Sequence, residues 1–165
     1  MSNLLFGNII KQLGKREKIL QLGCRTGNLA RILLYSNYNY VRGVETTSEL
    51  ISLAQQSMST RHRSKFIKGF FDEEKTYDIE YDTVICAEVF EYHDCDIKIL
   101  KSVKKGAKII FTVPGFPNEV FSRYFLSEKS IKSRYKDLID ILEIREVVFN
   151  NDFCRTYLVK CRKVK

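Results

Sequence analysis

The sequence has no Cys-x-x-Cys pair: its five cysteines stand apart at positions 24, 86, 95, 154 and 161. That spacing excludes a zinc ribbon or a thioredoxin-like centre, so no metal site is expected and free thiols in a reducing compartment are the expected state. The beginning, "MSNLLFGNIIKQLGK", has no basic segment ahead of its apolar residues, and nowhere is there an apolar run long enough to cross a bilayer. Neither a signal peptide nor a membrane span is therefore expected, and the reading is a cytoplasmic protein that does not enter membranes. Proline is scarce too: the only two, Pro114 and Pro117, fall in one stretch. With no linker to divide it, residues 1–165 read as one domain, long enough to enclose a single core.

Acid does not balance base. Lysine and arginine number 28 against 20 aspartates and glutamates, for a net charge of +8. The basic residues are spread over "KQLGKREK", "RHRSKFIK", "KSVKKGAK" and "KCRKVK", which reads as a solvated surface. A nucleic-acid partner stays open but is disfavoured.

What the chain does have is alternation. Short runs rich in Val, Ile and Tyr predict strands over 18–22, 40–45, 65–68, 83–87 and 108–113, with helices over 27–35, 48–57, 96–103 and 127–139 between and after them. Strand-helix-strand crossovers of this kind imply a parallel sheet covered on both faces. Thr46 and Glu49 have capping-box spacing, and Leu50, Leu53 and Ala54 supply an apolar face for the second helix. Gly106 is expected to cap the helix over 96–103. "EIREVVFNNDFCRTYLVKCRKV" holds two β-rich runs around "NND", an antiparallel hairpin. The expected fold is α/β: a doubly wound, Rossmann-like, mostly parallel seven-stranded sheet ending in that hairpin.

The first strand leaves through "LGCRTG", where a doubly wound sheet binds its ligands. Gly23 and Gly27 lack the spacing of a dinucleotide fingerprint, and the lysine of a phosphate-binding loop is missing. A ligand-binding loop and a plain strand-to-helix corner both remain open on these two glycines alone. At the end of the second strand, Glu45 can accept both hydroxyls of a ribose, or can simply stand at a helix start where negative charge is favourable.

The ordered series "KILQLGCRTGNLARIL", "VRGVETTSELISLAQ", "KFIKGFF" and "YDTVICAEVFEYHDCDIKILKSVKKGAKIIFTVPG" resembles class I S-adenosylmethionine-dependent methyltransferases, most closely their small-molecule branch of ubiquinone-type O-methyltransferases. The resemblance covers nearly all of the chain from Lys18 on. It implies S-adenosylmethionine as cofactor, with Gln21 in the motif's opening position and Gly23, Cys24 and Gly27 around its methionine part. Glu45, followed by Thr46, would hold the ribose, Phe70 and Phe71 the adenine, and Ala87 and Glu88 would line the floor near the sulfonium. Phe70 and Phe71 also suit a purely structural role in the core.

The match departs from the family in places. Gln21 and Arg25 stand where an acidic residue and a glycine are usual, and Tyr92 replaces the usual histidine, moving His93 on by one. Tyr92 and His93 are weak candidates for catalysis. Few residues precede the first strand, so the helical lid of many relatives is expected to be mostly missing. "PGFPNEVFSRYFLSEKS", with its aromatics and Arg123, is the candidate substrate wall, or else a surface loop held by its aromatics.

Methyl transfer from a sulfonium needs little beyond holding two atoms in line in a dry site, worth up to about 7–11 kcal/mol. A hydroxyl acceptor benefits from a base, whereas an already nucleophilic one needs none. The sequence thus suggests transfer of a methyl group to an oxygen or nitrogen of a small molecule. A catalytically silent fold that serves as a binding module is the alternative that Gln21 and Arg25 motivate.

Overall fold

The computed structural model describes residues 3–36, 38, 40–59, 65–149 and 154–164. Seven strands are seen among them: β1 (Ile19–Leu22), β2 (Val41–Glu45), β3 (Phe66–Lys68), β4 (Thr83–Cys86), β5 (Lys108–Pro114), β6 (Ile139–Phe149) and β7 (Cys154–Lys163). They form one sheet in the order β3-β2-β1-β4-β5-β7-β6. The first five run parallel, and β7 pairs antiparallel with both β5 and β6. The expected doubly wound sheet with its terminal hairpin is therefore what the chain adopts; the "NND" turn lies outside the described residues.

Alternation along the strands feeds two cores. Leu20, Leu22, Val84, Cys86, Ile109 and Phe111 face one side, while Ile19, Ile85, Ala87 and Ile110 face the other. Strands buried on both faces read as nearly unbroken apolar runs, which is why β1, β4 and β5 were visible in the sequence. Helices α1 (Asn3–Lys11), α2 (Asn28–Tyr35) and α3 (Ser48–Gln56) cover the second side. Helices α4 (Asp96–Ser102) and α5 (Glu128–Tyr135) cover the first.

Several local expectations are corrected. Helix α1 was not foreseen; its Leu5, Phe6 and Ile9 are buried. Helix α3 begins after Thr47 rather than through a Thr46/Glu49 box, and the Thr46 hydroxyl donates instead to Glu45 Oε1 at 3.1 Å. Its core face is Ile51 and Ala54, while Leu53 is exposed. Helix α4 ends at Ser102 with Val103 as its C-cap, and Gly106 turns with φ 81° in the link to β5 while donating its N–H to the Lys163 carbonyl. Helix α5 stops at Tyr135, because Ile139 already begins β6.

The segment after β5 is tied to α4 through Asp96, a buried carboxylate in the first turn of that helix. Arg134 donates to it from Nε at 2.7 Å and Nη2 at 3.0 Å, and the Tyr135 hydroxyl donates at 2.8 Å. Arg123 Nη1 lies 2.6 Å from Asp96 Oδ1, and the same guanidinium pairs with Asp94. Arg123, expected in a substrate wall, thus pins that wall to the helix.

Candidate active site

Strand order reverses between β1 and β4, so their exits and that of β2 meet at one edge of the sheet. The turn out of β1 is unusual in its backbone: Gly23, Arg25 and Gly27 have φ of 65°, 51° and 80°. A Cβ on Gly23 would come within 2.6 Å of Val89 Cγ2, so glycine is required there both for conformation and for space. Arg25 takes the left-handed conformation without being glycine, a local cost of the kind that concentrates at functional sites.

Glu45 anchors this turn. The carboxylate is buried, and its Oε2 accepts the Arg25 N–H at 3.0 Å. Its Oε1 accepts the Thr46 N–H at 2.7 Å in addition to the Thr46 hydroxyl. The Arg25 guanidinium instead reaches Glu88 Oε2 at 3.4 Å and remains more than half exposed. It borders the crevice without filling it.

Two adjoining hollows share Gly23, Arg25 and Leu50. The first, about 310 Å³, holds Phe6 of α1, Gln21 and Asn28 at the start of α2. Gln21 is buried, and its Oε1 has no hydrogen-bond partner among the described residues. The second, about 220 Å³, is bounded by Glu45, Thr46, Phe71, Glu88, Tyr92 and His93. Cys24 lies beneath them as a thiol, its pKa pushed up to about 12 by burial and by the neighbouring Glu45 carboxylate.

The crevice gathers Gln21, Gly23, Cys24, Glu45, Thr46, Phe71 and Glu88. Gly27 stands at the start of α2, with Phe66 and Ala54 against it. Phe70 is half exposed and borders a neighbouring hollow with Phe71 and His93. Ala87 is buried in the core among Phe6, Cys24 and Leu29. His93 meets the Phe71 ring edge-on at 5.3 Å, whereas Tyr92, which borders the same hollow, also meets Phe121 on its other side at 5.5 Å. Burial and the Glu88 and Glu91 carboxylates push the Tyr92 phenol up, which keeps it protonated.

That other side opens into a hollow of about 160 Å³ bounded by Glu88, Glu91, Tyr92, Phe116 and Phe121. Pro114, Phe116 and Phe121 of the segment after β5 line this hollow. Glu91 carried no role in the sequence reading. It is buried; Thr112 Oγ1 accepts the Glu88 N–H at 2.8 Å and donates to Glu91 Oε1 at 2.8 Å. Glu91 Oε2 has no partner among the described residues. The available signal was Thr112, a lone hydroxyl in the apolar run of β5.

Burial pushes the Glu91 carboxyl up to about 8, with the nearby Glu88 carboxylate adding to the rise and the Thr112 bond opposing it. Between its ordinary value of 4.5 and that value, the folded state holds a proton that the unfolded chain has released. Stability from this group is therefore complete below the ordinary value and is lost as pH climbs through the window. Glu91→Gln removes this dependence. Relative to wild type, the variant should gain on the order of 2 kcal/mol between pH 6 and pH 8 in urea unfolding. Parallel stability curves for the two proteins would refute the assignment.

Known proteins resemble this chain in sequence and in fold. A family model described as "Methyltransferase domain" matches residues 20–109, more than half of the 165 residues. The Bacillus subtilis (strain 168) protein named "Putative methyltransferase YqeM" is 24% identical over 126 residues, which is 76% of this chain and 51% of that protein. The chain thus spans about half the length of the curated relative it matches. Among solved structures, the [4+2]-cyclase SpnF superposes with a TM-score of 0.77 at 14% identity, covering 97% of this chain and 80% of that one. The magnesium protoporphyrin IX methyltransferase ChlM of Synechocystis PCC 6803, with bound SAH, superposes at 0.69 with 15% identity, covering 96% and 80%. At such identities the superpositions establish the fold. No helix among the described residues is long and apolar enough to cross a membrane, and no metal-holding group of His, Cys, Asp or Glu is found among them.

Proposed function

This chain belongs to the methyltransferase domain family, and from that premise we propose that its crevice binds S-adenosylmethionine and directs the methyl group to an oxygen or nitrogen of a small-molecule acceptor, in the manner of the ubiquinone-type O-methyltransferase branch. The observation that carries the reading is Glu45, a buried carboxylate at the β2 exit facing the hollow beside Gly23. The residues suit the group: Gly23 leaves room that a side chain would take, and the unpartnered Gln21 Oε1 offers an acceptor to an ammonium. Phe71 offers an apolar face to adenine.

The cofactor, when bound, supplies an electrophilic methyl on a sulfonium. The chain's own part is to hold and orient. Gln21 brings no negative charge, but Glu88 does, at the same crevice. The Arg25 guanidinium stands at the boundary of the two hollows, where it can take a carboxylate in two parallel hydrogen bonds.

Calorimetric titration of the full chain with S-adenosylmethionine and S-adenosylhomocysteine tests the proposal; no binding of either at millimolar concentration would overturn it and favour a silent fold. One structural neighbour is named a cyclase, so methyl transfer itself needs detection as S-adenosylhomocysteine release. Arg25→Gly should weaken both ligands equally, by about tenfold, because both carry the carboxylate. Unchanged or tighter binding would show that the guanidinium only faces Glu88.

A further inference from the structure

We propose that the end of the sheet opposite the crevice, centred on Lys101, Lys104, Lys105 and Lys163, docks the phosphodiester backbone of a nucleic acid. The inference does not rest on the methyl-transfer reading, because this surface lies away from the crevice.

The topology gathers what the sequence spreads. Strands β1 to β5 run parallel, so all of them begin at this end, and β7, antiparallel to β5, finishes there. Each of the basic segments seen in the sequence flanks one of those strand ends: Lys18 precedes β1, Lys65 precedes β3, Lys104 and Lys105 lie in the link to β5, and Lys163 closes β7. Backbone bonds tie the row together. The Asp82 and Thr83 N–H groups donate to the Lys18 carbonyl at 2.8 and 3.1 Å, the Lys108 N–H to the Asp82 carbonyl at 3.0 Å, and the Gly106 N–H to the Lys163 carbonyl at 3.0 Å.

The carboxylates near the start of β1 and β4 are already engaged. Glu80 pairs with Lys18, Glu17 pairs with Lys108 and accepts the Thr83 hydroxyl, and Asp82 accepts the Lys18 N–H at 2.9 Å. The corner between α4, β5 and β7 has no such compensation. Lys101, Lys104 and Lys105 are exposed there, and no ion pair joins them or Lys163 to Asp137, Asp140 or any other acid among the described residues. Lys163 is only 5% exposed. Burial and the charge of Lys101 hold its ammonium below the ordinary lysine range, with no carboxylate opposing them. A buried cation that lacks a counter-charge is costly, and an anion completes it.

Phosphate suits this corner better than carboxylate. An ammonium is a compact point charge, the form in which lysine takes phosphate, whereas planar two-bond pairing with a carboxylate belongs to arginine. A polymer suits it better than a single phosphate: from β3 to β7 the row spans five strand spacings, roughly 24 Å, or about seven nucleotides of stacked strand. Tyrosine rings hold amines along that path. Lys18 and Lys65 each stand 5.7 Å from the Tyr40 ring centre, and Lys104 stands 4.4 Å from that of Tyr81. A bilayer is the poorer fit, because surface binding to one buries an apolar face, and this corner offers Val164 at its margin. Backbone contacts position a nucleic acid without reading its sequence. The docked strand is thus a tether held away from the crevice, and not the methyl acceptor.

The test is fluorescence anisotropy of the full chain with a labelled oligouridylate of about 20 nucleotides, together with amide NMR. Wild type should bind at about 50 mM salt, with a log-log salt slope near −3, about 0.7 for each phosphate that a lysine neutralises. Lys104→Gln/Lys105→Gln should weaken binding about tenfold and flatten the slope by about 1.4, with its urea midpoint unchanged; Lys163→Gln should weaken binding too. Lys129→Gln/Lys132→Gln removes the same charge from α5 and should alter affinity less than about threefold. Amide shifts should appear at Gly106 and Lys163 and not at Gly23. Equal weakening by the two double variants, or no binding at low salt, overturns the proposal. Displacement of the strand by millimolar uridine monophosphate would make the corner a single-phosphate site, tighter binding to phosphatidylserine vesicles a membrane surface, and shifts confined to Gly23 and Glu45 would put the strand in the crevice; each overturns backbone docking. Titration with S-adenosylhomocysteine reads the crevice separately, so either reading can fail alone.

Discussion

Asp96→Ala is expected to lower the unfolding free energy by about 3–5 kcal/mol, the largest stability effect of any single change considered. The carboxylate is buried and accepts from Arg134 Nε and Nη2 and from the Tyr135 hydroxyl, with Arg123 beside it. Truncation strands two guanidiniums and a fully buried tyrosine hydroxyl at once. Arg134 is partly exposed and can recover water, which places the loss toward the lower end of the range. Asp96→Asn keeps the shape but not the charge, and its deficit depends on pH. Burial raises the Asp96 carboxyl, but the bonds from Arg134 and Tyr135 and the charges of Arg123 and Arg134 outweigh it, leaving it below its ordinary value of 3.8. The network's contribution is therefore complete above that ordinary value and is lost as pH falls through the depressed one. Wild type and Asp96→Asn should differ most near neutrality and converge in strong acid. Urea unfolding at several pH values reads both effects; a loss under about 1 kcal/mol at pH 7 would mean that the network stabilises little beyond what an exposed ion pair does.

The same network marks the boundary of what the sequence discloses. Strands β1 to β5 were legible to within a residue or two, and for β1, β4 and β5 the reason is burial on both faces, which makes each a short, mainly apolar run. The strand exits around the crevice were legible for a related reason: Gly23 directly follows β1 and Glu45 closes β2, so their placement is local. What escaped depends on distant partners. Glu91 acquires its meaning from Thr112, 21 residues on, and Asp96 from Arg134 and Tyr135, 38 and 39 residues on. Helix α1 has a glycine in its middle and no acidic residue in its first turn, so packing of Leu5, Phe6 and Ile9 against the sheet decides it rather than propensity. The Thr46/Glu49 pairing failed because the helix begins one residue later, with Thr47 at its N-cap, and the Thr46 hydroxyl lies outside it, donating to Glu45.

Glu45→Gln should cost at least about 100-fold in affinity for both S-adenosylmethionine and S-adenosylhomocysteine, roughly 3 kcal/mol. A carboxylate offers about four acceptor positions, and three are taken by the Arg25 N–H, the Thr46 N–H and the Thr46 hydroxyl. A ribose bringing two hydroxyls needs two positions, so the Thr46 hydroxyl must rotate away when the nucleoside arrives. The two backbone bonds stay, and they keep the carboxylate aimed at the crevice. Glutamine breaks this arrangement twice. Its amide nitrogen would face either the Arg25 N–H or the Thr46 N–H, donor against donor, loosening the turn that carries Gly23. The remaining carbonyl oxygen would be neutral, where bonds to a charged acceptor are the stronger. Because the ribose is common to both ligands, calorimetry should show equal losses for the two. An S-adenosylhomocysteine analogue lacking both ribose hydroxyls should bind wild type and Glu45→Gln within about threefold of each other, since the contact removed by the mutation is already missing from the ligand. Full-strength binding of the hydroxylated ligands to Glu45→Gln would place the ribose elsewhere. Equal losses with the dihydroxy and dideoxy forms would instead mean that the carboxylate acts only by holding the Arg25 turn.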